Sequence, residues 1–352
     1  MNTDHNIYIH VPFCVAKCRY CAFFSHACAN PDWKKYENNI ISEINFWEKM
    51  LGKICVPTIF FGGGTPSLMP VKTFDKIITT IKNKFNIYEN CEITLEANPG
   101  TIDKQKLTDF HNAGANRLSI GMQSFDDEKL KLLGRIHNSA QAINLLDNAN
   151  KLNLRVSADF IYGLPNETVS DVIKTCKKIN EIGLKHCSMY ELTIEPSTPF
   201  GKMNLHMPSN EEMANMYIAI KDTLDLARYE VSNYAICGEE CKHNQNIWDG
   251  EPYIGIGQGA AGRIFMNNTW YEQKGANEKF AKISNSERAI EKLITGLRQV
   301  RGVIIDANLK DIINQDFITK HPDLLHMIEN NRLATTEKGM LLLDDLLLNL
   351  VK

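Results

Sequence analysis

At 352 residues the chain is too long for one small domain and suits a main domain of roughly 200 to 250 residues with a smaller companion. Its 43% hydrophobic and 23% charged residues are those of a folded globular protein and argue against disorder or a fibrous repeat. A net charge of -3 and a pI near 6.4 offer no broad basic face, so nucleic acid is not an expected partner.

From the start, short β-branched or aromatic runs alternate with longer segments of helical period, the pattern of repeated βα units on a parallel sheet. Strands are expected at 7–10, 58–61, 92–96, 117–120, 156–162 and 186–192. Helices are expected between them, at 33–50, 71–85, 104–113 and 169–182. Such a series predicts an α/β fold, a partial (β/α)6 TIM-like barrel whose ligands gather at the C-terminal ends of the strands. Residues 62–65, Glu96, Asn98, Gln123 and Asp159 fall at those ends.

A further helix is expected at 211–227, followed by short irregular strands and a glycine run at 255–262. From about residue 286 the chain is helix-rich again, with helices expected at 287–298 and 322–330, a hairpin at 333–338 and a last helix. This predicts a core domain over 1–235, a junction over 236–285 and a small winged-helix-like domain over 286–352. The apolar run 340–351 is interrupted by Asp344 and Asp345 and is shorter than the roughly 20 residues of a membrane span. With no basic start ahead of an apolar stretch, a cytoplasmic protein is expected.

Ten cysteines in a cytoplasmic chain are not a disulfide framework, because thiols there stay reduced. Cys14, Cys18 and Cys21 stand together, whereas Cys55, Cys91, Cys176 and Cys187 are scattered singly. CxxxCxxC presents three soft thiolates, a set suited to an iron-sulfur cluster or to zinc. It is one ligand short of a closed site, which points to a position left open for an exchangeable molecule. Completion of a zinc site by His26 or Cys28 is the alternative.

YIHVPFCVAKCRYCAF (8–23), FFGGGTPSL (60–68), LEANPGT (95–101), RLSIGMQSF (117–125) and DFIYGLP (159–165) resemble, in order and spacing, the motifs of the radical S-adenosylmethionine superfamily. More narrowly they resemble the branch that holds oxygen-independent coproporphyrinogen III oxidase and the heme chaperone HemW. The resemblance implies a [4Fe-4S] cluster on Cys14, Cys18 and Cys21, its open iron chelated by the amino and carboxylate groups of S-adenosylmethionine. Electron transfer then cleaves the sulfonium to a 5'-deoxyadenosyl radical. It also implies S-adenosylmethionine contacts from Tyr8, Tyr20, Gly63, Gly64, Thr65, Glu96, Gln123, Arg135 and Asp159. Their chemistry fits: carboxylates accept from ribose hydroxyls or an ammonium, and a guanidinium forks onto a carboxylate.

GQGAAG at 257–262 matches GxGxxG in form, but no long helix or complete βαβ unit follows. The resemblance treats this run and CKHNQNIW (241–248) as the branch's junction motif, HNxxYW in its usual form. Here Ile247 takes the tyrosine position and Ala261 a position where histidine often stands, while His243 and Trp248 remain. An imidazole can ligate heme iron and an indole offers a flat face, so His243 is a candidate heme ligand. A hydrogen-bonded structural histidine, or a metal site of Cys237, Cys241 and His243, is the alternative.

The oxidases carry a long N-terminal extension and a further cysteine two residues after the third. Here the motif begins at residue 14 and the further position is Phe23. The resemblance therefore implies a heme chaperone that hands heme to an acceptor protein, with membrane-bound respiratory enzymes among the candidate acceptors. The oxidase, a radical oxidative decarboxylase of heme biosynthesis, is the alternative. Homodimerisation is left open, and Glu337, Asp344 and Asp345 in the last segment disfavour phosphate contact.

Overall fold

The computed structural model describes residues 4–274 and 280–352. Six strands lie side by side in sequence order: β1 (Asn6–Val11), β2 (Cys55–Gly63), β3 (Asn86–Ala97), β4 (Arg117–Gln123), β5 (Arg155–Tyr162) and β6 (His186–Glu191). Every neighbouring pair is parallel. Successive side chains on a strand point to opposite faces, and the two faces differ in chemistry. Ile7, Ile9, Ile59, Phe61, Leu95, Leu118, Ile120, Ala158 and Phe160 pack in one apolar core with the surrounding helices. The alternate positions, Asn6, His10, Thr58, Glu92, Thr94, Arg117, Ser119, Ser157, His186 and Ser188, are polar and buried. A closed barrel usually fills its interior with branched apolar residues, whereas this partial one is lined with hydrogen-bonding groups.

The connecting helices include Trp33–Leu51, Val71–Lys84, Lys104–Asn112, Ser139–Lys151 and Val169–Ile182. Reciprocal caps start two of them, Asn138 with Gln141 and Thr168 with Asp171, each satisfying otherwise unpaired backbone donors. The helix expected at 211–227 spans Asn210–Thr223. Asn180 ends it early, donating to the Thr223 carbonyl and accepting from Asp225 N–H. Ala227–Glu230 is then free to become a strand.

Residues 236–285, expected as a junction, add strands to the same 12-stranded sheet. Tyr253–Ile256 pairs parallel with the outer edge of β1, and Ala261–Met266, Thr269–Lys274 and Phe280–Ile283 follow antiparallel. The glycine run is thus a strand-to-strand turn. On the opposite edge Asn233–Ala235 pairs antiparallel with β6.

The last part of the chain has its own apolar cluster, which includes Leu293, Leu297, Leu309, Leu333 and Leu350, under a three-stranded sheet. Two expectations are corrected there. Residues 322–330 are not a helix: Leu325–Ile328 is a strand paired antiparallel with Arg332–Thr335, and the helix lies upstream at Gln315–Lys320. The hairpin accordingly starts earlier than the expected 333–338, which holds only most of its second strand, and its turn is at Asn330 and Asn331, both at positive φ. Asparagine tolerates that region, which the tight turns of hairpins require.

Candidate functional site

Beyond β1, Phe13–Cys14 pairs with His26–Ala27 and so closes the intervening residues into a loop. Phe13 anchors it with edge-on contacts to His26, Trp33 and Tyr36. Within the loop Cys21 N–H donates to the Cys18 carbonyl, and Cys28 N–H donates to that of Cys14. Cys14 is buried and Cys18 and Cys21 are half-buried, all as free thiols. The three line one cavity of about 320 Å³ at the barrel mouth. Burial pushes the Cys21 thiol up. The turn after β2 presses close: a Cβ on Gly64 would stand 2.7 Å from the Phe13 carbonyl oxygen and 2.9 Å from Cys14 Sγ, so glycine is required.

Tyr20, Gly63, Gly64, Thr65, Glu96, Gln123, Arg135 and Asp159 line the same cavity. Register explains the convergence, since Gly121 on β4 sits beside Asp159 on β5 and Glu96 on β3 beside Ser119. Gln123 has a φ of 65°, a strained geometry for a side-chain-bearing residue and one that concentrates at functional sites. Burial, with Asp159 nearby, pushes the Glu96 carboxyl up to about 8, although it accepts from Gly63 N–H. Asp159 is also raised by burial, opposed by hydroxyl donors and by the Arg117 charge. Burial raises the Tyr20 phenol above its ordinary range.

Two residues stand apart. Tyr8 borders an adjoining cleft that shares Gly63, Glu96 and Phe23 with the main cavity. Its hydroxyl lies 3.0 Å from His10 Nδ1. His243 lines neither space and is 2% exposed. The helix Lys242–Trp248 closes the N-terminal end of the barrel, its start capped by Glu92, which accepts from the backbone N–H of Lys242 and His243. There His243 Nδ1 lies 2.7 Å from Thr58 Oγ1 and the ring stacks on Phe60. The expected open heme ligand is, in this arrangement, part of the barrel floor. The reason is a long-range contact: the Glu92 carboxylate at the helix N-terminus, braced by Arg155, holds the segment inward.

Sequence reading passed over Ser119, Tyr190 and Thr193, which also line the cavity. Ser119 was recoverable from the period of two along RLSIGMQ, which points it inward with Arg117 and Gly121. Tyr190 and Thr193 carry no such signal.

Among the described residues, no three His, Cys, Asp or Glu side chains close on a single ion. Three thiols spread around a cavity wall suit instead a four-iron cluster, which is wider than an ion. Neither Cys28 nor His26 lines the cavity, so Cys14, Cys18 and Cys21 are the thiols there that would hold such a cluster.

Residues 8–179 match the model of the radical SAM superfamily. Over 264 residues the chain is 37% identical to the heme chaperone HemW of Escherichia coli K12, covering 74% of this chain and 70% of the relative. Over 268 residues it is 35% identical to HemW of Buchnera aphidicola from Schizaphis graminum, covering 75% and 71%. The chain belongs to the HemW family of the radical SAM superfamily. Membership of that superfamily implies a [4Fe-4S] cluster and S-adenosylmethionine. The HemW-family fold is shared more widely: the coproporphyrinogen III oxidase HemN of Escherichia coli, a radical SAM enzyme, superimposes with a TM-score of 0.82 at 18% identity, over 99% of this chain and 89% of that one. No helix among the described residues of this HemW-family chain is long and apolar enough to cross a membrane.

Proposed function

We propose that the chain is a cytoplasmic heme chaperone that carries a [4Fe-4S] cluster and S-adenosylmethionine and hands heme to an acceptor protein. The observation that carries this reading is the three-thiol cavity itself, together with its likeness to proteins named heme chaperones. Cys14, Cys18 and Cys21 hold three irons and leave the fourth to S-adenosylmethionine. Gly63 and Gly64 let backbone approach the methionine end, Arg135 meets its carboxylate, and Tyr20, Thr65, Glu96, Gln123 and Asp159 surround the rest. When bound, the cluster supplies the electron that cleaves the sulfonium. Glu96 enters this site protonated near neutrality, and the ligand's positive charge favours its ionised form.

Heme is the cargo. Ligation by His243 requires the helix Lys242–Trp248 to leave the barrel floor. The adjoining cleft, walled by Phe24, Tyr8, Tyr253 and Ile247, offers an aromatic surface for a flat ligand without that movement. The second reading is the coproporphyrinogen III oxidase, kept by the likeness of fold along almost the whole chain. Phe23, at the position of the oxidases' further cysteine, is 69% exposed and counts against it.

One paired experiment separates them. The anaerobically reconstituted protein is titrated with heme and, in parallel, incubated with coproporphyrinogen III, S-adenosylmethionine and reductant. Stoichiometric heme uptake without decarboxylated product is the expected result; product formation overturns it.

A further inference from the structure

Behind Asp159 a hydrogen-bonded chain runs down through the barrel. Ser157 Oγ lies 3.4 Å from Asp159 Oδ1 and 2.8 Å from His186 Nδ1. His186 Nε2 lies 2.7 Å from the Tyr229 hydroxyl, which accepts the backbone N–H of Cys241 at the start of the floor helix. Ser157 and His186 are each 1% exposed, so no bulk water substitutes for these partners.

Counting donors fixes the direction of every proton in this chain. The Tyr229 hydroxyl already accepts from Cys241, and among the described residues the acceptor within reach of its own proton is His186 Nε2. His186 therefore carries its proton on Nδ1 and donates to Ser157, which leaves the Ser157 proton for Asp159. The opposite tautomer leaves the Tyr229 proton without an acceptor and takes the donor away from Asp159 Oδ1. Each such loss inside a protein is costly. Burial, with the Arg117 and Arg155 charges, lowers the His186 pKa and keeps the ring neutral.

We propose that His186 is a positioning residue for S-adenosylmethionine: protonated at Nδ1, it turns the Ser157 hydroxyl onto Asp159 and fixes that carboxylate for the ligand. This rests on the reading of Asp159 as an S-adenosylmethionine contact. Ser119 Oγ donates to Asp159 Oδ2 at 2.8 Å, so Ser119 and Ser157 each take one acceptor site, on different oxygens. A carboxylate has about four such sites. With Ser188 also bonding the carboxylate, at least one site remains for a donor such as a ribose hydroxyl. Without His186, Ser157 is free to rotate away, and the carboxylate loses both a donor and its orientation.

The test measures binding of labelled S-adenosylmethionine to the anaerobic, cluster-loaded protein by equilibrium dialysis. His186→Phe and Ser157→Ala are expected to weaken binding about three- to tenfold with iron and sulfide content unchanged. His186→Asn, whose amide N–H takes the place of the Nδ1 proton, restores affinity, while His186→Gln, which presents its amide near the Nε2 position, does not. That pattern separates positioning from mere filling of the interior. Asp159→Ala is the control: if it leaves affinity unchanged, the reading of Asp159 fails. If Asp159→Ala weakens binding while Ser157→Ala and His186→Phe do not, or if Gln restores as well as Asn, the role of His186 is overturned. Should His186→Phe fail to hold a cluster, Ser157→Ala decides alone, unchanged affinity overturning the proposal.

Discussion

Arg135 places Nη1 3.4 Å from Cys18 Sγ and Nη2 2.9 Å from the Gly121 carbonyl oxygen. One guanidinium thereby ties the cysteine loop to the end of β4. A donor on a ligand sulfur stabilises the added electron of a reduced cluster, and such bonds help set cluster potentials. Arg135→Ala is expected to assemble the cluster but to shift its potential to more negative values. A redox titration followed by electron paramagnetic resonance checks this, and an unchanged potential refutes the contact.

Replacement of Cys14, Cys18 or Cys21 by Ala is expected to abolish a stable [4Fe-4S] cluster. Cys28→Ala is expected to retain it, since Cys28 meets Cys14 through backbone alone. Iron and sulfide analysis after anaerobic reconstitution distinguishes the cases; loss of cluster in Cys28→Ala refutes the assignment.

Gly64→Ala introduces a methyl against Cys14 Sγ and against the backbone carbonyl oxygens of Phe13 and Val11, which cannot swing aside as a flexible side chain would. Overpacking of this kind costs about 1 to 3 kcal/mol, and the strain falls on Cys14. Lower cluster occupancy and a lower Tm are expected. Gly183→Ala, at a position where a Cβ meets nothing within 4 Å, controls for the loss of a glycine: some Tm is lost there too, because Gly183 is left-handed, but cluster content holds.

Glu96 makes stability depend on pH in a stated direction. Its folded-state pKa is raised to about 8, above the roughly 4.3 of an unfolded chain. Between those values the folded protein binds more protons than the unfolded one, so this group lowers stability as pH rises, by at most about 1.4 kcal/mol per pH unit. Urea unfolding at pH 5, 6.5 and 8 should show a smaller decline in Glu96→Gln than in the parent. An identical decline in both would rule out the raised pKa.

His243→Ala removes the stack on Phe60 and the contact with Thr58. The combined loss of packing and of a buried hydrogen bond is expected to cost roughly 2 to 4 kcal/mol, seen as a lower urea midpoint. A heme titration of the same variant tests ligation separately: an unaltered absorption band places the iron ligand elsewhere, with the barrel floor still weakened.

The sequence by itself determined the order of the barrel strands and the chemistry of the mouth. Strand ends are marked by local residues, as in Gly62 to Thr65 at the end of β2, and a cysteine spacing of this kind survives any rearrangement further along the chain. The family resemblance also named Arg135 and Asp159, which line the same cavity as the three cysteines. Only the tertiary structure decided where the segment 241–262 belongs. Nothing local in CKHNQNIW reveals that Glu92, 149 residues before Cys241, caps its helix and draws His243 into the floor, or that Tyr253–Ile256 joins β1. The same holds for the chain from Asp159 to Tyr229. Its members, Ser157, His186 and Tyr229, are singly unremarkable; parallel register sets Ser157 beside His186, while Tyr229 reaches the same ring from the edge strand Ala227–Glu230. Such long-range pairings depend on which side chains meet after folding, and a local pattern records only which face of a strand or helix each residue occupies.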